Sequence, residues 1–435
     1  GGNGNYNTNM IMYAWAETPG VSSFGKYDGG TTNRVIDCGF EPAFVMMKRY
    51  DGGNDWIIVD SARGGTQKLA ADLSVVENDA ASIGDAAQNV VEFLTNGFKL
   101  TTTKYFTLNT IYSNIINTFS PNITYYESMI YESLINSVSK RLLSDRPIAC
   151  LLSGGLDSSL ITSIVCKLMQ PKIIETFSIG LEGSTDLKYA QIVANFLGTK
   201  HTNIILTEEQ FFNSIPEVIK AIESYDTTTV RASVGNYLIA KYISKHSNAK
   251  VIFNGDGSDE LTGGYLYFHN SPNILDSEFE TERLLKDISY FDVLRSDKSI
   301  SSCGLEPRTP FLDKSFVQLY RSIPINLRFK KGEIEKKLLR DSFKDLLPDE
   351  VLYRKKEAFS DGVSSMEKSW FSIIQEKVSN IKFNCPHVNW NIPMTLEQKY
   401  YRFIFENEYP NKGKIIPYYW MPKWSNTNDP SARTL

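Results

Sequence analysis

Apolar and polar residues are arranged with two different textures along this chain, and the change falls near residue 104. Before it, short runs such as "NMIMYAWAE" (9–17), "AFVMMKRY" (43–50) and "NDWIIVD" (54–60) alternate with turn clusters such as "KYDGGTTN", "RYDGGND" and "TNGFKL". This predicts a small all-β domain over residues 1–103, an antiparallel sandwich. After it, residues 123–143, "ITYYESMIYESLINSVSKRLL", place apolar side chains three and four apart and predict an amphipathic helix. That helix leads into a strand beginning "IACLL". Strand-like runs recur at "KIIETFSIG", "TNIILT" and "KVIFNGDG", separated by helix-patterned stretches such as "DLKYAQIVANFLG". Strands alternating with helices predict an α/β domain over 104–435: a doubly wound parallel sheet, Rossmann-like, with a helical C-terminal part. Such sheets bind ligands at the carboxyl ends of their strands.

Composition sharpens this division. Residues 1–100 hold 14 of the 28 glycines but only 7 of the 46 lysines and arginines, which places a domain boundary near residue 104. A net charge of −4 and a pI near 5.8 give no basic face for nucleic acid. No apolar run approaches the ~20 residues of a membrane span, and "GGNGNYNTNM" lacks the features of a signal peptide. A cytoplasmic protein is expected, the host cytoplasm if viral, with Gly1 suggesting a start within a gene or a processed end. Five irregularly spaced cysteines suggest free thiols, and four histidines without CxxC or HExxH argue against built-in zinc.

The stretch "SGGLDSS" (153–159) follows the first strand and opens a helix. Gly154 and Gly155 permit a tight turn, so that successive N–H groups can converge on an anion at the helix start. Ser153, Ser158 and Ser159 add hydroxyls. Asp157 would repel a bare phosphate, and so makes sense as an oxygen ligand for Mg²⁺ carried with one. The loop is not GxxxxGK[ST], and without that lysine a GTPase or kinase reading loses support.

Strand, SGGxDS loop and helix together resemble the pyrophosphate loop of the N-type ATP pyrophosphatases. The chain from 104 to 435 resembles the synthetase domain of the glutamine-hydrolysing asparagine synthetases. The matching blocks are "FSIGLEGSTDLKYAQIVANFLGTKH", "DTTTVRAS", "NGDGSDELTGGYLYFH", "GLEPRTPFLD", "KKLLRDSFKDLLPDEVLYRKKEAFSDGVS" and "PYYWMPKWSNTNDPSARTL". "YLYFH" and "MPKW...DPSARTL" argue against β-lactam synthetase, a relative with the same loop. The resemblance implies that ATP activates the β-carboxylate of aspartate as β-aspartyl-AMP, releasing pyrophosphate, and that ammonia then yields asparagine and AMP. It implies that Leu152, Ile179, Asn254 and Gly255 surround the nucleotide, that Asp157 and Asp259 carry Mg²⁺, and that Lys356, with Lys355 as the adjacent alternative, reaches the phosphates. Thr228 and Arg231 would bind aspartate and the activated intermediate. Glu306 and Arg308 could form a buried ion pair that shapes the site.

Two departures stand out. The family's "GEGSDE" is here "GDGSDE", so the residue expected to promote intermediate formation and take the ammonia proton is Asp256, one methylene shorter; a ~1 Å displacement can cost ~10²-fold in rate. The N-terminal glutaminase half of glutamine-dependent relatives is also not recognised, and Cys38 has no free amine to serve it. Ammonia is therefore expected from solution, from a glutaminase partner in trans, or not at all; a homodimer is left open. Residues 1–103 resemble a β-domain of phage and virus virion-associated proteins, which keeps a virion or surface-binding protein with a degenerate synthetase domain as the alternative, beside a related amide ligase acting on another carboxylate.

Overall fold

The computed structural model describes residues 123–356, 362–364, 368–425 and 429, together with residues 9–15, 22–28, 34–37, 42–49, 57–60, 69–70, 91–94 and 97–100. The chain divides into two compact units, Gly1–Thr110 and Ile111–Leu435. Cys38 lies outside the described residues, as do parts of the blocks at 357–361 and 426–435.

In the first unit β1 (Asn9–Trp15), β2 (Ser22–Asp28), β4 (Phe44–Arg49), β5 (Ile57–Asp60) and β6 (Leu69–Ala70) form one antiparallel sheet in the order β2-β1-β4-β5-β6. A second antiparallel sheet joins β3 (Arg34–Asp37), β8 (Gly97–Leu100) and β7 (Val91–Leu94). Strand β2 runs on through Lys26-Tyr27-Asp28, into the cluster that its glycines marked as a turn.

The second unit is built on five parallel strands: β9 (Ile148–Leu151), β10 (Glu175–Leu181), β11 (Lys200–Leu206), β12 (Val251–Phe253) and β13 (Glu306–Arg308), in the order β11-β10-β9-β12-β13. Alternation along these strands builds two cores. Ile148, Cys150, Leu152, Val251 and Phe253 face one side, with Leu160, Ile161 and Ile164 from α2 (Leu156–Met169) and Ile130 and Leu134 from α1 (Ile123–Lys140). Ala149, Phe177, Ile179, Leu181 and Ile252 face the other, against Val230 and Val234 of α4 (Thr227–His246). Strands apolar on both faces must be covered on both, which is the doubly wound arrangement. Helix α3 (Thr185–Leu197) links β10 to β11 and stops at Gly198, whose φ of 66° suits glycine.

The consequence for function lies in the strand order. Chain order runs outward from β9 in one direction through β10 and β11, and in the other through β12 and β13. The reversal therefore falls between β9 and β12, and the loops leaving those two strands splay apart there to form a crevice. Those loops are 152–155 and 254–257. The β13 strand, "EPR", was not foreseen; an edge strand with two charged residues in three carries no apolar signature.

Candidate active site

The 153–159 loop is shaped by its own hydrogen bonds. The Ser153 N–H donates to Ser158 Oγ (3.2 Å), the two serine hydroxyls are 3.0 Å apart, and the Gly155 N–H donates to Ser153 Oγ (3.3 Å). Gly154 has φ 70°, and a Cβ there would lie 2.3 Å from the Ala190 nitrogen of α3. Only glycine fits, because the loop is pressed against the neighbouring helix. Gly155 caps α2 without a side-chain hydrogen bond, so the first N–H groups of a 14-residue helix point into the crevice with the positive end of its dipole behind them. The Ser159 hydroxyl is fully buried and finds no partner among the described residues.

The opposing loop comes close. A Cβ on Gly255 would lie 2.7 Å from the Asp157 carbonyl carbon, so the two strand-end loops touch at that residue. Gly257 (φ 87°) then turns the chain into α5 (Ser258–Thr262), which brings Asp259 to the same place as Asp157. Lys336 Nζ sits between them, 2.7 and 2.6 Å from the two Asp157 oxygens and 2.6 Å from Asp259 Oδ1. Lys356 Nζ donates to Asp259 Oδ2 at 2.5 Å and lies 3.9 Å from Asp157. Ser258 Oγ adds a bond to Asp157 at 2.7 Å. Burial alone would raise the Asp259 carboxyl, but the two ammonium groups outweigh it and hold it well below the usual carboxylate range. Burial likewise opposes the Lys356 charge, and Asp259 and Asp157 overcome it to hold that ammonium above the ordinary lysine range.

Lys336 was not singled out from sequence. It lies in "EKKLLR" with φ 58°, a left-handed conformation rare outside glycine, and its side chain is 1% exposed. Its two carboxylate partners converge three oxygens on one point. A hard divalent cation accepts that donor set when phosphate oxygens complete it, so Asp157 and Asp259 fit the Mg²⁺ role. Of the two adjacent lysines, Lys356 turns into the site, while Lys355 is exposed.

Leu152 follows β9 directly and Ile179 lies near the carboxyl end of β10, but their side chains are packed in the two cores, so a nucleotide there would meet their backbone. Asn254 is buried, its amide donating to Ser296 Oγ at 2.7 Å. Asp256 is partly exposed and pairs with Arg295 at 3.1 Å. Arg295 lies on α7 (Asp292–Ser301), the helix that follows α6 (Ile274–Asp287).

At the start of α4, Asp226 caps the helix by accepting from the Thr229 N–H (3.0 Å) and hydroxyl (2.8 Å), and accepts the Trp420 N–H at 2.7 Å. Burial raises its carboxyl to about 6. The Thr228 hydroxyl is buried without a partner among the described residues. Arg231 is differently disposed. Its Nε and Nη2 donate to the two oxygens of Glu397 (2.7 and 2.6 Å), and its Nη1 donates to Asp429 at 2.5 Å. Each guanidinium nitrogen thus has a carboxylate partner within the chain. Glu397 belongs to α8 (Leu396–Glu408), at the end of a stretch that carries no motif. The Glu306–Arg308 expectation needs correction: the pair forms at 2.8 Å, but Glu306 is 61% exposed, because β13 is an edge strand. Arg308 instead reaches the carbonyls of Arg141 and Leu143 and ties the turn that follows α1 to the sheet edge.

With this geometry in place, comparison with known proteins is informative. A sequence family described as asparagine synthase matches residues 129–287 and 278–382, and a domain of unknown function matches residues 1–116. The chain is 49% identical over 312 residues to "Asparagine synthetase [glutamine-hydrolyzing]" of Rattus norvegicus and of Gallus gallus, and 48% identical to that of Homo sapiens; each match covers 69% of this chain and 56% of the relative. The chain thus spans just over half the length of these curated relatives. A solved NMN synthetase from Francisella tularensis aligns at 13% identity over 68% of this chain and 97% of that chain, with a TM-score of 0.24.

Proposed function

The chain belongs to the asparagine synthase family, and from that premise we propose that its second unit is an ATP-dependent, AMP-forming ligase that converts aspartate to asparagine. The observation that carries this reading is the convergence of Asp157, Asp259, Lys336 and Lys356 in front of the glycine-capped start of α2, at the point where the strand order reverses.

In this reading a β-carboxylate oxygen of aspartate attacks the α-phosphorus of ATP, and the bond to the β-phosphate breaks to release pyrophosphate. The first-turn N–H groups of α2 and the loop serines receive the leaving group, and Lys336 and Lys356 exchange carboxylate partners for its oxygens. Mg²⁺ held by Asp157 and Asp259 would neutralise further negative charge on the phosphates. Asn254 and Gly255 hold the loop that faces the α-phosphate, and Asp256 accepts a proton from the nitrogen as ammonia adds to the acyl carbon and AMP leaves. Thr228, whose hydroxyl has no partner among the described residues, meets the aspartate. Arg231, fully engaged by Glu397 and Asp429, supports that corner from behind. Ammonia arrives from solution or from a glutaminase working in trans, and the reaction takes place in the cytoplasm.

The test is pyrophosphate release from Mg-ATP and aspartate, with ammonium and glutamine compared as nitrogen donors and asparagine followed directly. Aspartate-dependent release and asparagine formation with ammonium are expected. A protein that binds ATP but gives neither contradicts the proposal.

A further inference from the structure

The turn that carries Asp256 is held from outside by two consecutive side chains of α7. Ser296 Oγ accepts the Asn254 amide at 2.7 Å, and Arg295 Nη2 reaches Asp256 Oδ1 at 3.1 Å. Within the turn, the Asp256 N–H donates to Asn254 Oδ1 at 3.3 Å. Helix α7 packs along α4 and beside β13, so it offers a template for the side chains of a loop whose backbone is already pressed against Asp157 at Gly255.

Arg295 is a poor candidate for a merely structural ion pair. It is 8% exposed, yet a single nitrogen, Nη2, serves both Asp256 and Asp292, the latter at 3.2 Å, while Nε is buried and finds no partner among the described residues. A buried guanidinium placed only for stability would spread its five donors over its acceptors, as Arg231 does. Glu260 and Tyr265, hydrogen-bonded to each other, also contribute to the field around the guanidinium. Asp292, one turn back on the same helix, and Asp256, on the strand-end loop, share Nη2, and their side chains are 21% and 20% exposed, so the helix's own carboxylate holds the guanidinium beside that of the loop.

We infer that Arg295 is a positioning residue for Asp256: anchored by Asp292, it sets where this carboxylate, one methylene shorter than glutamate, stands for proton transfer. The inference rests on the synthetase reading and extends it to a residue that does not itself touch the substrates. A displaced carboxylate should slow the chemical steps while leaving ATP binding at the other loop intact.

The experiment compares wild type with Arg295→Gln and Arg295→Lys in aspartate-dependent pyrophosphate release, alongside the rise in melting temperature caused by Mg-ATP. Arg295→Gln should lower kcat by about 100-fold, keep KM for ATP and aspartate within about threefold, and keep the Mg-ATP shift. Arg295→Lys, which retains the charge without the fork, should fall between the two, and it decides the matter alone if Arg295→Gln does not fold. A KM increase at unchanged kcat, loss of the Mg-ATP shift, or activity within about threefold of wild type in both variants would overturn the inference. A wild type without aspartate-dependent release would overturn the synthetase reading, and this inference with it.

Discussion

Two clusters of charge in the second unit use the same kinds of group to opposite ends. At the strand reversal, two lysines and two aspartates balance, and the Asp157 and Asp259 side chains keep 15% and 18% of their surface open. At the start of α4, one arginine meets two carboxylates, with Arg231 and Glu397 3% and 1% exposed. Lysine offers a compact charge on a flexible stem that can change partners, whereas arginine offers a fixed fork that locks onto one carboxylate. In the proposed reading the first cluster trades carboxylates for phosphates, most readily at Lys356, whose side chain is 20% exposed. The second cannot release Glu397 without leaving a buried charge uncompensated. Charge density alone does not mark a site; the exchangeability of the partners does.

The contrast breaks most visibly if Glu397 proves dispensable. Glu397→Gln removes the charge that faces two guanidinium nitrogens, and chemical denaturation should show a loss of about 3–5 kcal/mol. Asp259→Asn, measured the same way, should cost clearly less stability and instead abolish the Mg-ATP shift in melting temperature. Next in size, Lys356→Ala should lower aspartate-dependent pyrophosphate release by about 10²–10³-fold, the effect of removing one group that stabilises transition-state charge, while the protein still melts cooperatively.

A smaller effect sharpens the second corner. Burial raises the Asp226 carboxyl from 3.8 to about 6 in the folded protein. The folded state therefore holds this proton more tightly than the unfolded chain does. The contribution is fully present below pH ~4 and is lost as pH rises through about 6, on the order of 3 kcal/mol across that window. Denaturation midpoints between pH 4 and 7 should show this slope in wild type, and Asp226→Asn should flatten it. Smallest of all, burial pushes the Cys166 thiol up to about 11. Thiol alkylation at neutral pH should leave Cys166 unmodified in folded protein, as mass spectrometry would show.

What was legible in the sequence follows from how far apart the cooperating residues lie. The strands β9 and β12 announce themselves because they are apolar on both faces, β10 because Phe177, Ile179 and Leu181 alternate with Thr176 and Ser178, and the 153–159 loop because its glycines and serines are contiguous. Paired partners distant in the chain are silent. Lys336 meets Asp157 across 179 positions, and Arg231 meets Glu397 across 166; neither lysine nor glutamate stands out in its own stretch. Arg295 looks like any solvent-facing residue of an amphipathic helix until α7 is packed. Glu306 and Arg308 mislead for the converse reason: two residues apart on a strand they must share a face, but sequence cannot say that the face lies at an edge.

The central claim is attack on the α-phosphorus by a carboxylate oxygen of aspartate. It is tested most directly with aspartate labelled with ¹⁸O in its β-carboxylate, incubated with Mg-ATP and ammonium, and mass analysis of the nucleotide product. Attack at the α-phosphorus predicts AMP carrying one ¹⁸O. Label in inorganic phosphate with ADP as the nucleotide product, or AMP without label, would contradict it.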